Sequence, residues 1–243
     1  MPEGPTLAIL SEEAAGFRGK TVRQSTGNSK LDLGRMQGRR IVSIRSWGKH
    51  LLIEFRGFSL RVHLMMFGSY RINERKPAAA PRLSLRFDQG EINFYTCSLK
   101  YIEGPLDETY DWSGDVLSDR WNPAKARRKL KARPDTLVCD ALLDQDIFAG
   151  VGNIIKNEVL FRIRLHPESR IGNLPPRKLG DLIRQARQYS FDFLAWKKAF
   201  VLKKHWLVHT KRTCPQCGGP LSKTYPGKTQ RRSFFCPRCQ ILY

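Results

Sequence analysis

The sequence predicts an α+β multidomain chain, an antiparallel β-sandwich first and a helical domain with a four-cysteine hairpin second. Three observations predict it. Short runs of alternating apolar and polar residues, split by turn residues, fill the N-terminal part. From Pro123 onward the apolar positions space out as they do in helices. Near the C-terminus, Cys214-Pro215-Gln216-Cys217 and Cys236-Pro237-Arg238-Cys239 form two CxxC knuckles separated by 18 residues.

The sandwich opens on a helix. Leu7, Leu10, Ala14 and Phe17 recur at helical spacing after Pro5, a residue suited to a first helical turn, and Gly19 marks a stop. Strand runs follow at Ile41–Arg45, Leu51–Phe55, Leu60–His63, Leu83–Phe87 and Ile92–Tyr95. Gly57, Gly68, Pro77 and Asp88-Gln89-Gly90 separate them, and Lys76–Pro81 reads as a loop. The pattern changes near Trp112–Asp115. Leu130, Leu137, Ala141 and Leu142 then mark helices, and Gly180–Phe200 reads as another. The boundaries expected are a sandwich domain with its leading helix over 1–112, a linker over 113–122, helices over 123–207 and a metal-bearing hairpin over 208–243.

The knuckle spacing is that of a four-cysteine zinc site. Zinc takes four thiolates tetrahedrally, and two turns supply them from Cys214, Cys217, Cys236 and Cys239. No fifth ligand candidate is left over, so one structural Zn2+ is expected. Ser222–Tyr225, a Pro226-Gly227 turn and Arg232–Phe235 read as the hairpin between the knuckles. The alternative, two disulfides in a secreted domain, lacks support because residues 1–20 carry no signal-peptide pattern. Cys97 and Cys139 stand apart and read as free, packed thiols.

Charge points to the partner. Lys and Arg number 43 against 22 Asp and Glu, a formal net charge of +21, which implies a polyanion. Residues 193–243 hold eleven Lys or Arg and no acid, and Arg120–Arg133 holds seven and no acid. Trp196, Phe200, Trp206, Phe234 and Phe235 interleave with the first block, against a disordered tail. No long apolar span and no lipidation signal favour a membrane.

Two short segments carry candidate chemistry. Met1-Pro2-Glu3-Gly4-Pro5 would expose a secondary amine on Pro2 once Met1 is removed. An α-amino group titrates at about 7.7–8.0, so part of it is neutral and nucleophilic near neutral pH. It can attack a sugar C1′ and form an iminium, with Glu3 beside it to move protons. The same residues also suit a plain helix start. Gly150-Val151-Gly152-Asn153 ahead of an apolar helix suits a phosphate grip, though an ordinary cap would look the same.

Taken together, these segments resemble the Fpg/Nei family of DNA glycosylase/AP lyases, and the likeness spans nearly the whole chain. Pro2-Glu3-Gly4-Pro5 resembles the family's catalytic start. Trp47–Leu52 resembles its Gly-Lys segment, with Lys49 in the catalytic lysine position. Phe148–Glu158 resembles the second helix entry of its helix-two-turn-helix motif, with Asn153 as a phosphate-binding asparagine. Arg231–Cys236 resembles its zinc-finger hairpin, with Arg231 at the phosphate. His63–Gly68 aligns with the segment that fills the space of a flipped base, so Met65, Met66 and Phe67 are wedge candidates. Without the alignment, core packing would be the default for such a Met-Met-Phe run.

The resemblance implies a base-excision-repair enzyme acting on damaged DNA, with a structural zinc and with Pro2, Glu3 and Lys49 as the catalytic set. Departures bear on the branch. The Arg-x-Phe pair of Fpg members is absent near Cys97–Tyr101, and Tyr189–Cys214 leaves little room for a long lesion loop. Both favour the endonuclease VIII (Nei) side and oxidised pyrimidines. Thr6 stands where many members carry an acid, and Lys156, a further DNA-contact candidate, stands where the bacterial enzyme has arginine. Duplex DNA is the expected partner, with single-stranded or bubble DNA left open. The protein is expected to be monomeric and, in a bacterium, cytoplasmic. Two other classes remain: a zinc-finger DNA-binding protein of this family without catalysis, and an RNA- or ribosome-bound zinc protein.

Overall fold

The computed structural model describes residues 2–243, so the expectation about Met1 lies outside the described residues. The chain forms two compact units, one ending at Tyr110 and the other running Asp111–Tyr243.

In the first unit, α1 (Gly4–Glu13) starts on a glycine and a proline, and a short 3-10 turn over Ala14–Phe17 extends it. Two four-stranded antiparallel sheets follow. One is ordered β1 (Gln24–Thr26), β6 (Leu83–Arg86), β7 (Glu91–Tyr95), β5 (Ser69–Ile72). The other is ordered β2 (Ile41–Trp47), β3 (His50–Phe55), β4 (Phe58–His63), β8 (Ser98–Glu103). Leu51, Ile53, Leu60 and Val62 from the second sheet and Leu83, Leu85, Ile92 and Phe94 from the first fill one core. Leu7 and Leu10 bring α1 into it. The five expected strands all form. The three strands not expected, β1, β5 and β8, are all sheet edges with few buried side chains. A short helix, α2 (Leu106–Thr109), closes the unit.

The second unit packs α3 (Pro123–Lys131), α4 (Val138–Leu143), α5 (Asn153–Arg162) and α6 (Pro176–Lys198) around an apolar core. Asn122 caps α3 by accepting from the Lys125 N–H at 2.9 Å, the usual N-cap arrangement. Helix α5 lies at the centre, buried on every face from Asn153 to Phe161. Residues 113–122, expected as a linker, belong to this unit instead. Val116 is wholly buried in its core, and Trp121 stacks at 5.9 Å on Phe148. The last element is the hairpin β9 (Ser222–Thr224) and β10 (Ser233–Phe235), which shares a small core with Phe161 and Val208. Among the described residues no helix is long and apolar enough to cross a membrane.

Candidate active site and nucleic-acid interface

In the first unit, Glu3 stands at the N-cap position of α1 in an extended conformation, and its carbonyl accepts from the Thr6 N–H at 2.8 Å. Its side chain makes no capping bond to the helix, although it is fully buried. Carboxylates are rarely buried without a purpose, because leaving water is costly for a charge. Pro2 beside it is half-buried.

Lys49 projects from the two-residue loop between β2 and β3, where Trp47 pairs with His50. Gly48 takes φ 52°, and Lys49 does not share a positive φ, the pattern of a type II′ hairpin turn that wants glycine first. The two strands therefore fix the root of the Lys49 side chain. Around it lies a cluster of rings: Trp47 packs 4.9 Å from Tyr110, and His50 meets the His63 ring at 5.5 Å. Burial, then the charges of Arg61, His63 and Lys49, push His50 down to about 3. Burial, then Lys49 and Arg61, also lower His63. Both imidazoles are thus neutral at neutral pH, and the local positive charge comes from Arg61 and Lys49.

Neutral His63 has a structural task. Its Nδ1 accepts from the Met65 N–H at 3.1 Å, which sets the first residue of the following loop. In that loop Met65, Met66 and Phe67 are 50%, 47% and 80% exposed. Core packing is therefore not their role. Gly68 closes the loop so tightly that an added Cβ would sit 1.8 Å from the Leu64 carbonyl oxygen.

In the second unit, the turn before α5 is pinned by Gln145. Its Oε1 accepts from the Gly150 N–H at 3.0 Å, and its Nε2 donates to the Leu143 and Val151 carbonyls. Gly150 sits at φ 98°, open to glycine and not to most residues. Asn153 opens the helix, and its Nδ2 donates to the Arg232 carbonyl at 2.8 Å.

Lys156 is where the sequence reading needs correction. Its side chain is wholly buried, and its ammonium donates to Ser233 Oγ at 2.7 Å, the Arg232 carbonyl at 3.1 Å and the Arg231 carbonyl at 3.4 Å. A group so enclosed holds the hairpin and does not reach a phosphate. Asn157 continues the pattern, donating to His209 Nδ1 at 3.0 Å and accepting from the Phe234 N–H. Glu158 accepts from the Leu207, Val208 and His209 N–H groups. Burial, then Lys156 and Arg232, push His209 down to about 4, which suits a ring nitrogen that must accept. The tip of the hairpin is tied separately. Asp140 on α4 accepts from the Lys228 N–H, the Thr229 N–H and Thr229 Oγ1 at 2.8, 3.1 and 2.6 Å. Arg231 lies between these anchors with its side chain exposed.

The sequence reading passed over His63, Asp140 and Asn157. Asp140 left a trace, an acid near the start of a short helix; Asn157 acts through contacts far away in sequence, while His63 acts locally, on the N–H two residues on.

The four knuckle cysteines come together, with their sulfurs all within 4.8 Å of one another. Cys214 and Cys239 sulfurs are 3.8 Å apart, and those of Cys217 and Cys236 are 3.6 Å apart. Tetrahedral Zn–S bonds of about 2.3 Å would set S···S at roughly 3.8 Å. The cluster can hold a metal ion. Cys97 and Cys139 lie elsewhere, and burial pushes their thiols up to about 11 and about 12, so both are poor nucleophiles.

Comparison with known proteins agrees with these features. Residues 1–98 match the formamidopyrimidine-DNA glycosylase N-terminal domain, and residues 113–189 match the formamidopyrimidine-DNA glycosylase H2TH domain. Endonuclease 8-like 3 of Mus musculus is 32% identical over 81% of this chain, but the match covers only 34% of that relative. Endonuclease 8-like 2 of the same species is 33% identical over 74% of the chain and 57% of its own length. The chain thus spans from about a third to somewhat over half of these curated relatives. Formamidopyrimidine-DNA glycosylase of Methylococcus capsulatus is 31% identical over 99% of the chain and 100% of its own length. A crystal structure of the Lactococcus lactis formamidopyrimidine-DNA glycosylase, bound non-covalently to DNA containing an AP site, superposes with a TM-score of 0.84. It covers 98% of this chain and 99% of that one at 21% identity, which establishes the fold. The chain therefore belongs to the Fpg/Nei family, and its endonuclease 8-like relatives support the Nei side.

Proposed function

We propose that this protein is a bifunctional DNA glycosylase/AP lyase that removes oxidised bases, pyrimidines foremost, from DNA. The observation that carries the reading is Glu3: a fully buried carboxyl next to Pro2 that caps no helix. With Met1 removed, the Pro2 nitrogen lone pair attacks C1′ of a nucleotide turned out of the stack. The bond from C1′ to the base breaks, and the base leaves with a proton. Protonation of O4′ then breaks the C1′–O4′ bond, opening the sugar ring as the nitrogen lone pair forms the iminium. The iminium acidifies C2′–H; loss of that proton expels the 3′ phosphate, and a second elimination expels the 5′ phosphate. Glu3 moves the protons. Lys49 offsets charge on the phosphate and sugar.

Asn153 and Arg231 take backbone phosphates, and Lys156 holds the hairpin from beneath. Met65, Met66 and Phe67 fill the space left by the flipped base; their exposure supports this over core packing. One zinc ion in the four-cysteine cluster fixes the knuckles and takes no part in the chemistry. The chain works as a monomer on damaged DNA and, in a bacterium, in the cytoplasm. The division of labour follows the 1–112, 123–207 and 208–243 segments, with 113–122 joined to the helices.

The test uses two forms of the protein, one with a free Pro2 amine and one with that amine acetylated. The free form should cleave an abasic-site duplex and the acetylated form should not, while both bind it. Equal cleavage by both would remove Pro2 as the nucleophile, and cleavage by neither, with binding intact, would leave the family's non-catalytic DNA-binding reading as the better one.

A further inference from the structure

The basic run Arg120–Arg133 is not absorbed by this function. It folds mainly as α3, and its charges divide by face. Lys125 and Lys129 turn to Asp111, and Arg133 pairs with Asp144. Arg127 and Arg128 turn the other way, into a cavity of about 850 Å³ between α3 and α6. Ligand pockets run about 300–1,000 Å³, so the space is ample for a bound molecule.

Two aromatic side chains and four guanidiniums line it: Trp121, Phe191, Arg127, Arg128, Arg184 and Arg187. Phe191 is 38% exposed, whereas Tyr189 and Phe193 on the same helix are buried. Arg187 donates to the Val116 and Ser118 carbonyls at 3.2 and 3.0 Å and holds its guanidinium 5.1 Å from the Phe191 ring centre. The ring is thereby fixed as a platform. Gly180 leaves room for Arg127, whose terminal nitrogen would lie 3.2 Å from an added Cβ. Among the described residues no acid lies within ion-pair distance of Arg127 or Arg128, and only Arg184 is paired, to Asp181.

We propose that this groove is a second nucleic-acid site, which takes a single-stranded segment with a base on the Phe191–Trp121 surface and phosphates against Arg127, Arg128 and Arg184. Single-strand binding combines these two elements, a basic channel and rings on which bases stack without regard to sequence. An acidic peptide would use the arginines, but would leave the fixed flat platform without a matching planar partner. The proposal extends the DNA-repair reading and names no residue of the reaction proposed above.

The experiment measures binding of a fluorescent oligothymidylate of about ten nucleotides to the full protein, with a saturating abasic-site duplex present to fill the other site. The duplex should leave the oligothymidylate bound. Arg128→Glu combined with Arg184→Glu should weaken it at least about tenfold, and Phe191→Ala about tenfold, as for the loss of one stacked base. All three changes are at exposed positions, and thermal melts should match the parent. Complete displacement by the duplex, or unchanged affinity in the variants, would overturn the proposal. So would a loss of polyglutamate binding alone in the charge-reversed variant, which would assign the groove to an acidic protein. Cleavage of the duplex is read in parallel and should be unchanged. If no form of the protein cleaves it, the catalytic reading fails while the oligothymidylate result still decides the groove.

Discussion

Helix α5 in the second unit and the chain start in the first both bury polar groups, but in different ways. On α5, Lys156, Asn157 and Glu158 are spent on named backbone and side-chain partners of the 207–209 and 231–234 segments. Buried polar groups satisfied in this way rigidify and specify a structure. At the chain start, Glu3 is buried as deeply yet caps no helix, and Lys49 rides on a two-residue turn. The first pattern builds a platform that presents Arg231. The second sets a carboxyl beside Pro2 and a lysine on a hairpin turn, the groups proposed above to do chemistry. Roles cannot be assigned from residue type alone: two lysines, Lys49 and Lys156, stand on opposite sides of this divide.

The largest break in the comparison should come from Glu3→Gln, which keeps the shape and removes the acid. Base excision should fall about 10²–10⁴-fold, the usual contribution of a positioned proton-transfer group. Binding of an uncleavable abasic analogue should change little; a parallel loss of binding would make Glu3 a structural residue like those on α5.

Lys156→Met should do the reverse. Its three acceptors lose their shared donor at a cost of about 1–3 kcal/mol in stability, measured by urea unfolding. Reaction at saturating DNA should survive below the melting temperature. A stability change near zero would return Lys156 to the surface role that the sequence suggested.

A smaller effect sharpens the platform argument. Arg231→Ala should lower the salt slope of DNA binding by about one unit, the signature of one lost phosphate contact. Asp140→Ala should weaken DNA binding because the hairpin tip loses its anchor, and it should do so much less in the Arg231→Ala background. Additive losses would mean that Asp140 does not act through Arg231.

The smallest effect is on pH. Both His50 and His209 are held below the ordinary histidine value of about 6.5, to about 3 and about 4. Between those values the unfolded chain binds more protons than the folded one, so stability rises with pH. It should be complete above about 6.5 and fall progressively as pH drops toward about 4 and then about 3. His50→Phe should flatten part of that slope in thermal melts taken across the window, and an unchanged slope would place the titration elsewhere.

Much of this was legible in the sequence because it was local. The five strands that carry the sandwich core show themselves by apolar alternation, and the knuckles show themselves by spacing. The strands β1, β5 and β8 do not, because each buries at most one side chain and so imposes no pattern; edge position alone is not the reason, since β2 is an edge too. Lys156 was misplaced for a related reason. A lysine one turn from a glycine-rich loop looks like a surface cation, and only the return of β10, more than seventy residues later, encloses it. The task of Asp140 was hidden on the same grounds, since it holds backbone groups of Lys228 and Thr229 far along the chain.

The central claim is that the Pro2 amine does the chemistry, and sodium borohydride tests it most directly. Mixed with the untagged protein and a duplex bearing one abasic site, borohydride should reduce the iminium to a stable protein–DNA cross-link. Digestion should place that cross-link on the peptide beginning at Pro2. A cross-link at Lys49 or another lysine, or none while the duplex remains bound, would contradict the account.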